Sequence, residues 1–214
     1  KGEPVAYITG QREFWSMELI TNEETMIPRP EIELLVELAM DKISQENATR
    51  IAEIGTGTGA IALAIAQEKP DCTVIATDIS RNALNVAAQN ATRYALNNLH
   101  FYCGSWFEPV ANDTFDIIIS NPPYVAENDP HLQQGDLRFE PLIALESGPY
   151  GLDAIRHLIL KGQSRLAKGG WLLMEHGYDQ REEIIALLHD AGYTNLSWHD
   201  DIYQIPRVIL GQKK

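Results

Sequence analysis

Several features that mark common protein classes are scarce or missing in this chain of 214 residues. Two cysteines are too few for the disulfide framework of a small secreted domain, and neither lies in a metal-binding spacing. No apolar stretch approaches the roughly 20 residues that a membrane-spanning helix needs, and no signal peptide is visible. We therefore expect a cytoplasmic protein with free thiols at Cys72 and Cys103, no bound metal and no membrane contact.

Positive charge is also scarce. Lys and Arg total 17 against 30 Asp and Glu, which gives a formal net charge of −13. Proteins that bind nucleic acid in bulk more often carry a basic surface, and no Lys/Arg-rich segment is present. The balance favours a basic protein partner over direct binding of nucleic acid. With 44% hydrophobic residues, the chain is long enough to bury one large core.

Hydrophobic periodicity divides the chain into a short leading segment and one large domain. We predict a linker and β-hairpin over residues 1–28, with the hairpin from 14 to 27 and its turn at 21–24, and one domain over residues 29–214. A helix is predicted to open at Pro28-Arg29-Pro30. Because the chain begins at Lys1 rather than Met, we expect an N-terminal portion to be missing.

Strands and helices alternate through most of the predicted domain. Strands are predicted at 50–54, 73–77, 99–103, 115–120 and 171–175, helices at 60–67, 81–95, 152–166 and 180–191, and two closing strands at 195–199 and 207–211. Such alternation predicts an α/β fold with a mostly parallel sheet covered on both faces. The stretch 125–150 shows neither the hydrophobic period of a helix nor that of a strand. We predict that it forms one wall of a substrate pocket, with a solvated surface loop as the alternative.

A glycine-rich turn joins the first strand of the alternating region to its helix. It consists of Gly55, Thr56, Gly57, Thr58 and Gly59, preceded by Glu53-Ile54. Glycines let the backbone turn sharply and approach a ligand closely. A dinucleotide site would have Gly-x-Gly-x-x-Gly, and a P-loop would have Gly-Lys-Ser/Thr. The spacing Gly-x-Gly-x-Gly is instead common in enzymes that use adenosylmethionine.

Two side chains at the next strand ends complete a candidate nucleoside site. Asp78 ends the second strand, where a carboxylate can accept both hydroxyls of a ribose. Its alternative role is to cap the following helix, although Ser80 is the better cap. Trp106 follows the third strand and could pack on an adenine or belong to the core. In open parallel sheets, ligands bind beyond the carboxyl ends of the strands, so these groups should share one pocket.

The fourth strand end carries Asn121-Pro122-Pro123-Tyr124 directly after the apolar run 115–120. Asn121 and Pro122 each offer a carbonyl acceptor, and Tyr124 offers a flat ring. Together they suit a planar NH2 group, as found on an amide side chain or a nucleobase. The alternative is that Asn before Pro only starts a turn.

On these residues the chain resembles class I adenosylmethionine-dependent methyltransferases that modify amino nitrogens. More narrowly, it resembles the bacterial family that methylates glutamine N5 in peptide chain release factors. The resemblance covers nearly the whole chain. It is carried by Gly2-Glu3-Pro4, Tyr7-Ile8-Thr9-Gly10, Glu13-Phe14-Trp15, Ile27-Pro28-Arg29-Pro30-Glu31, Gly55 to Leu63, Asn121 to Tyr124, Asp129 to Asp136, Arg138-Phe139-Glu140-Pro141 and Glu175-His176-Gly177.

The resemblance implies a Rossmann-like, seven-stranded, mostly parallel sheet with an antiparallel last strand, preceded by a β-hairpin. It implies S-adenosyl-L-methionine as cofactor and, as substrate, the glutamine of the Gly-Gly-Gln loop of release factors. The implied cofactor residues are Gly55, Thr56, Gly57, Thr58, Gly59, Asp78, Trp106 and Asn121. The implied substrate residues are Asn121, Pro122, Pro123, Tyr124 and Phe14, of which Asn121, Pro122 and Tyr124 are catalytic.

The chain departs from the family pattern at three places. Glu53 stands where the family usually has Asp, and Ser105 stands where it often has an acidic residue that would contact the adenine amino group. The resemblance also implies a small N-terminal helical domain that helps grip the release factor, and we expect this domain to be missing from the chain. The sequence leaves two roles open: Arg29 could face Glu33 or reach the cofactor, and Arg138 and Glu140 could contact the protein substrate or form a solvated pair.

Three other functions are compatible with the same motifs. An adenine N6-methyltransferase on DNA or RNA needs the same NH2 recognition, but also a basic groove that the charge argues against. A glutamine methyltransferase of ribosomal proteins is closer, and the segment 27–31 favours release factors over it. A binding module without activity is disfavoured because the glycine turn, Asp78 and Asn121 are intact.

Overall fold

A seven-stranded sheet forms the centre of the fold in the computed structural model, which describes residues 2–43 and 49–214. Its strands are β3 (Arg50–Ile54), β4 (Thr73–Asp78), β5 (Leu99–Cys103), β6 (Phe115–Ser120), β7 (Leu166–Glu175), β8 (Tyr193–Asp200) and β9 (Pro206–Lys213). The spatial order is β5-β4-β3-β6-β7-β9-β8, and β9 runs antiparallel to both of its neighbours. The prediction of a mostly parallel sheet with an antiparallel last strand is confirmed.

Helices cover both faces of this sheet. They are α1 (Val5–Thr9), α2 (Glu33–Lys42), α3 (Ala60–Glu68), α4 (Arg81–Arg93), α5 (Asp153–Arg165) and α6 (Arg181–Asp190). The buried side chains form two clusters, one shared with α2 and α3 and the other with α5 and α6. Successive strand residues point to opposite faces, so Ile51 joins the first cluster and Ala52 the second. The four helices predicted in the alternating region agree with the structure to within two residues at each end, while α1 was not predicted.

The hairpin lies earlier in the chain than predicted. Its strands are β1 (Gln11–Phe14) and β2 (Met17–Ile20), so the predicted turn at 21–24 is wrong. Trp15 and Ser16 close it with φ angles of 52° and 58°, the left-handed geometry of a two-residue hairpin turn. Neither residue type signals such a turn. The segment at 21–24 does turn, with Thr25 N donating to Asn22 O at 3.0 Å, but it leads out of the hairpin.

The hairpin packs on the same core as the sheet. Phe14, Met17 and Leu19 are buried in the cluster that contains α2 and α3. The buried side chain of Asn90, on α4, accepts from Ile20 N at 2.7 Å and donates to Ile20 O at 3.1 Å and Thr58 O at 3.0 Å. One amide therefore joins the hairpin to the glycine-rich turn. Of the predicted leading segment, residue Lys1 lies outside the described residues.

Candidate active site

A cavity of about 570 Å³ opens beyond the carboxyl ends of the parallel strands. It is lined by most of the residues predicted for the site, namely Gly55, Thr56, Gly57, Thr58, Asp78, Trp106, Asn121, Pro122 and Pro123. Four strand ends thus contribute to one space, as the topology predicts. Gly59, Phe14 and Tyr124 are not among its lining residues.

The glycine turn exposes backbone to the cavity at two positions and packs at a third. Gly55 and Gly57 have φ angles of 79° and 55°, and a Cβ on either would meet no atom within 4 Å. The space beside them is open to a ligand. A Cβ on Gly59 would collide with the Leu63 side chain and lie 3.1 Å from Ala87 Cβ. Gly59 therefore lets α3 and α4 pack closely behind the turn.

Asp78 ties the glycine turn to the start of α4. Its carboxylate accepts from Gly57 N at 2.9 Å and from Ser80 N at 2.8 Å. Ser80 is the cap of α4, because its Oγ accepts from Ala83 N at 3.2 Å. Burial raises the pKa of Asp78, while the backbone amides of Gly57, Ser80 and Ile79 oppose that rise. Asp78 thus lines the cavity with acceptor capacity left over, since a carboxylate has about four lone-pair sites.

Glu53 is a buried carboxyl group beneath the turn. Its Oε2 accepts from Thr56 Oγ1 and from Ala62 N, the latter at 3.0 Å, and the residue lines the cavity. Burial raises the pKa of Glu53 to about 8. At neutral pH, therefore, this side chain is mainly protonated in the protein without ligand. Through these two bonds Glu53 connects the glycine turn to the first turn of α3.

The raised pKa of Glu53 predicts a stability that falls with rising pH. The folded protein keeps a proton that the unfolded chain loses above about pH 4.3, so this contribution is complete below that pH and disappears as pH rises through about 8. One retained proton gives a slope of about 1.4 kcal/mol per pH unit. Urea unfolding of the ligand-free protein from pH 5 to 8 measures it. Glu53→Gln should reduce that slope by about 1.4 kcal/mol per pH unit, the contribution of one proton. An unchanged slope would contradict the assignment of the retained proton to Glu53.

Trp106 and His157 form an aromatic pair on the cavity wall. Their ring centroids are 5.2 Å apart with an interplanar angle of 30°, and both residues line the cavity. Trp106 has a φ of 49°, and its carbonyl accepts from Thr77 Oγ1 at 3.1 Å. Burial lowers the pKa of His157, so its imidazole is neutral near pH 7. His157 was not predicted, since helical spacing alone did not show which face of α5 meets the cavity.

The Asn121-Pro122-Pro123-Tyr124 turn presents free acceptors to the cavity. Within the portion of the chain that the structure describes, neither the Asn121 side chain nor the Pro122 carbonyl has a hydrogen-bond partner. Tyr124 behaves differently, because its hydroxyl donates to Glu175 Oε1 at 2.9 Å. The negative charge of Glu175, with burial, raises the pKa of Tyr124 far above its usual value. The polar tip of Tyr124 is therefore directed into the protein.

Phe14 lies away from the cavity, contrary to its predicted position. It ends β1, is 1% exposed and packs in the cluster with α2 and α3. The sequence showed an aromatic residue near the predicted hairpin, but the error in the hairpin register left its facing direction undetermined.

The segment 125–150 contributes to the cavity wall, as predicted. It contains three short 3₁₀ turns, Pro130–Gln133, Leu137–Phe139 and Leu142–Ala144, and Val125 bridges to Glu146. It lines the cavity with Pro141, Ile143, Ala144, Glu146 and Ser147. The wall is held by a contact that was not predicted, an ion pair between Arg29 and the fully buried side chain of Glu140.

The predicted pairing of Arg29 with Glu33 and both predicted roles of Glu140 are therefore wrong, whereas contact of Arg29 with the cofactor stays a prediction. Glu33 Oε1 instead accepts from Trp15 N at 2.8 Å. Arg138 packs its guanidinium 4.8 Å from the centroid of the Phe139 ring. No local pattern indicated the Arg29–Glu140 pair, because its members lie far apart in the chain and each had a nearer candidate partner.

Neither a metal cluster nor a membrane span is found in residues 2–43 and 49–214. Among the residues that the structure describes, no three or more His, Cys, Asp and Glu side chains are grouped so as to hold an ion. No helix in these ranges is long and apolar enough to cross a bilayer. Cys72 and Cys103 are free thiols, the first buried and the second half-buried, as predicted.

Solved structures with the same fold include methyltransferases from distant sources. A methyltransferase from Pyrococcus furiosus superposes with a TM-score of 0.69 at 18% identity, covering 92% of this chain and 89% of that one. The hMettl16 catalytic domain in complex with a 3′UTR hairpin gives a TM-score of 0.72 at 15% identity, covering 89% and 72%. At these identities the likeness concerns the fold alone, which is that of class I methyltransferases.

Sequence comparison is more specific. The family model "Methyltransferase small domain" matches residues 20–136. Release factor glutamine methyltransferases from Vibrio cholerae, Xylella fastidiosa and Escherichia coli are 50%, 48% and 46% identical to this chain. The alignments cover 100%, 99% and 99% of the chain and 74%, 77% and 76% of the relatives. With its glycine turn, its Asn121 turn and their shared cavity, the chain belongs to the release factor glutamine methyltransferase family.

Proposed function

We propose that this protein transfers a methyl group from S-adenosyl-L-methionine to the side-chain amide nitrogen of the glutamine in the Gly-Gly-Gln loop of peptide chain release factors. The observation that carries the proposal is the pair of unpartnered acceptors, Asn121 Oδ1 and the Pro122 carbonyl, among the described residues of the cavity that the glycine turn also lines. A primary amide has two N–H donors, so two acceptors match it.

The cavity residues fit the proposed cofactor. Open space beside Gly55 and Gly57 admits a ligand against the backbone, Asp78 has acceptor capacity for the ribose hydroxyls, and Trp106 offers a ring for the adenine. When bound, adenosylmethionine supplies an electrophilic methyl group. The residues that would hold it in this proposal are Gly55, Thr56, Gly57, Thr58, Asp78, Trp106 and Asn121.

The chain's own contribution to the reaction is to hold and orient the amide. An amide nitrogen is a poor nucleophile because its lone pair is delocalised into the carbonyl. Asn121 Oδ1 and the Pro122 carbonyl can accept hydrogen bonds from the two N–H groups of the amide. If these acceptors lie outside the amide plane, they favour a pyramidal nitrogen with a localised lone pair. Fixing that nitrogen at the reacting distance supplies much of the rate enhancement. In the proposed reaction the sulfonium would supply the methyl group for the new C–N bond and keep the electron pair of the methyl–sulfur bond. Water would take the amide proton afterwards, without a general base.

The charge of the cavity suits a protein segment with basic neighbours. Glu24, Glu146 and Asp153 are among its lining residues, and the chain as a whole carries a net charge of −13. A polyanionic nucleic acid would be repelled by this field, whereas a basic protein surface would be attracted. This electrostatic argument supports the release factor over an adenine in DNA or RNA.

Methyl transfer from labelled adenosylmethionine tests the proposal. A purified bacterial release factor, its Gly-Gly-Gln→Gly-Gly-Ala variant, ribosomal protein and DNA are offered in parallel. We expect label on the intact release factor and none on the alanine variant. Label on DNA would favour adenine as the substrate, and label on ribosomal protein would favour the ribosomal-protein reaction.

A further inference from the structure

Tyr124 is held from two directions, by the last side chain of strand β7 and by one that follows the strand. Its hydroxyl donates to Glu175 Oε1 at 2.9 Å, and its carbonyl accepts from Gln180 Nε2 at 2.9 Å. Gln180 is itself fixed, because its Oε1 accepts from Gly177 N at 2.8 Å. Neither Glu175 nor Gln180 lines the cavity. Both therefore act on the cavity only through the residues that they hold.

Sheet register explains why these groups meet. Strands β6 and β7 are parallel neighbours, and Ser120 pairs with Met174. The next residues along the two strands, Asn121 and Glu175, consequently emerge at the same edge of the sheet. Two residues that are 54 positions apart in the chain are thus placed side by side by one strand pairing.

The backbone also closes tightly around the Tyr124 carbonyl. Gly151 has a φ of 68°, and a Cβ there would collide with Tyr124 O and lie 2.8 Å from Gln180 Nε2. Gln180 Nε2 makes a further contact with Gly151 O at 3.2 Å. The Tyr124 residue is therefore held at its carbonyl by Gln180 and at its hydroxyl by Glu175, and the hydroxyl bond is the second of these two anchors.

Glu175 is a costly group to bury for packing alone. It is 3% exposed, and within the described residues its Oε2 has no hydrogen-bond partner. Burial raises the pKa of Glu175 to about 7, opposed by the Tyr124 hydroxyl and by the charge of Arg207, while Glu31 and Arg29 act more weakly. A buried carboxyl with one unsatisfied oxygen would be replaced at little cost by an apolar side chain if only packing mattered.

We infer that Glu175 is a positioning residue for methyl transfer, which orients the Tyr124 ring through its hydroxyl and thereby fixes the turn that carries Asn121 Oδ1 and the Pro122 carbonyl. The inference rests on the proposed function. The turn must hold the amide nitrogen at the reacting distance, where a misplacement of about 1 Å can lower the rate about 100-fold. Loss of the Glu175 contact should consequently reduce turnover although the residue touches neither substrate nor cofactor.

The test compares Glu175→Leu, Glu175→Gln, Tyr124→Phe and the double variant Glu175→Leu/Tyr124→Phe at pH 8, where the carboxyl group is mainly ionised. Steady-state methylation of the release factor gives kcat and KM, and calorimetry gives the affinity for adenosylmethionine. Glu182→Leu is the matched control, since its carboxylate side chain is 82% exposed. Tyr124→Phe removes only the hydroxyl, so it tests the same bond even where Glu175→Leu folds poorly.

We expect Glu175→Leu and Tyr124→Phe each to lower kcat about 10- to 100-fold, with adenosylmethionine affinity unchanged. The double variant should be no slower than the worse single variant, because both remove one bond. Glu175→Gln, whose amide oxygen can still accept, should recover most of the activity. The inference would be overturned if the loss of kcat in the double variant were the product of the losses in the two single variants. It would also be overturned if Glu175→Leu folded and were as active as Glu182→Leu. In either case the proposed function would stand. A wild type that labels no release factor would overturn the proposed function, and the inference with it.

Discussion

Replacing Asn121 by alanine should lower kcat for release-factor methylation about 10²- to 10³-fold, the range found when one preorganised hydrogen-bonding group is removed from an active site. The Asn121 side chain lines the cavity and has no partner among the described residues, so its oxygen is free to accept an amide N–H. The affinity for adenosylmethionine should change much less, because the glycine turn and Asp78 remain. Steady-state kinetics with calorimetry separate the two effects.

Two further variants make this result specific. Asn82→Ala, at an exposed position on α4, should leave both quantities unchanged. Asn121→Asp keeps an acceptor at the same place and should retain more activity than Asn121→Ala. Equal losses of turnover and of cofactor affinity in Asn121→Ala would mean that Asn121 serves mainly the cofactor, and the amide-holding role would then be wrong.

Replacing Arg29 by leucine should lower the free energy of unfolding by about 3 kcal/mol, since removing one partner of a buried ion pair leaves the other charge uncompensated. The Glu140 side chain is 0% exposed and that of Arg29 is 31% exposed. Arg29→Leu therefore leaves a fully buried carboxylate without its partner. Glu140→Leu leaves only the charge of Arg29 without a partner, and water can reach that charge. Glu140→Leu should therefore lower the free energy of unfolding less than Arg29→Leu. The double variant Arg29→Leu/Glu140→Leu should recover much of the stability.

Urea unfolding of the three variants measures this asymmetry. The control is Arg156→Leu, which breaks a pair with Glu183 whose side chains are 39% and 52% exposed. Such exposed pairs typically contribute about 0–1 kcal/mol. If Arg29→Leu cost no more than Arg156→Leu, the Arg29–Glu140 pair would not be what holds the wall formed by segment 125–150.

The features of this protein that the sequence predicted are those set by local pattern. Apolar runs and helical spacing placed every strand of the sheet, because burial on two faces imposes a period that the chain must show. The glycine turn, Asp78 and Asn121 were also predictable as one site. Strand ends in a parallel sheet converge on one edge, so the order of the elements alone brought these side chains together.

The features that the sequence did not predict depend on contacts between distant segments. The turn at Trp15 and Ser16 lacks the residue types that usually adopt left-handed angles, so the sequence favours the more polar segment 21–24 as the turn. Phe14 followed that error. His157 and Glu175 were missed for a different reason, since their roles come from which helix face or strand neighbour meets the site, and that is decided by tertiary packing.

Asn90 has a mechanical consequence for this molecule. Its single amide group is bonded to both backbone groups of Ile20 in the hairpin and to the Thr58 carbonyl in the glycine turn. A displacement of β2 away from α4 would therefore strain the two hydrogen bonds between Asn90 and Ile20. The same amide group also holds the Thr58 carbonyl of the glycine turn. The positions of the hairpin and of the glycine turn are therefore coupled through three hydrogen bonds of one side chain, two to Ile20 and one to Thr58.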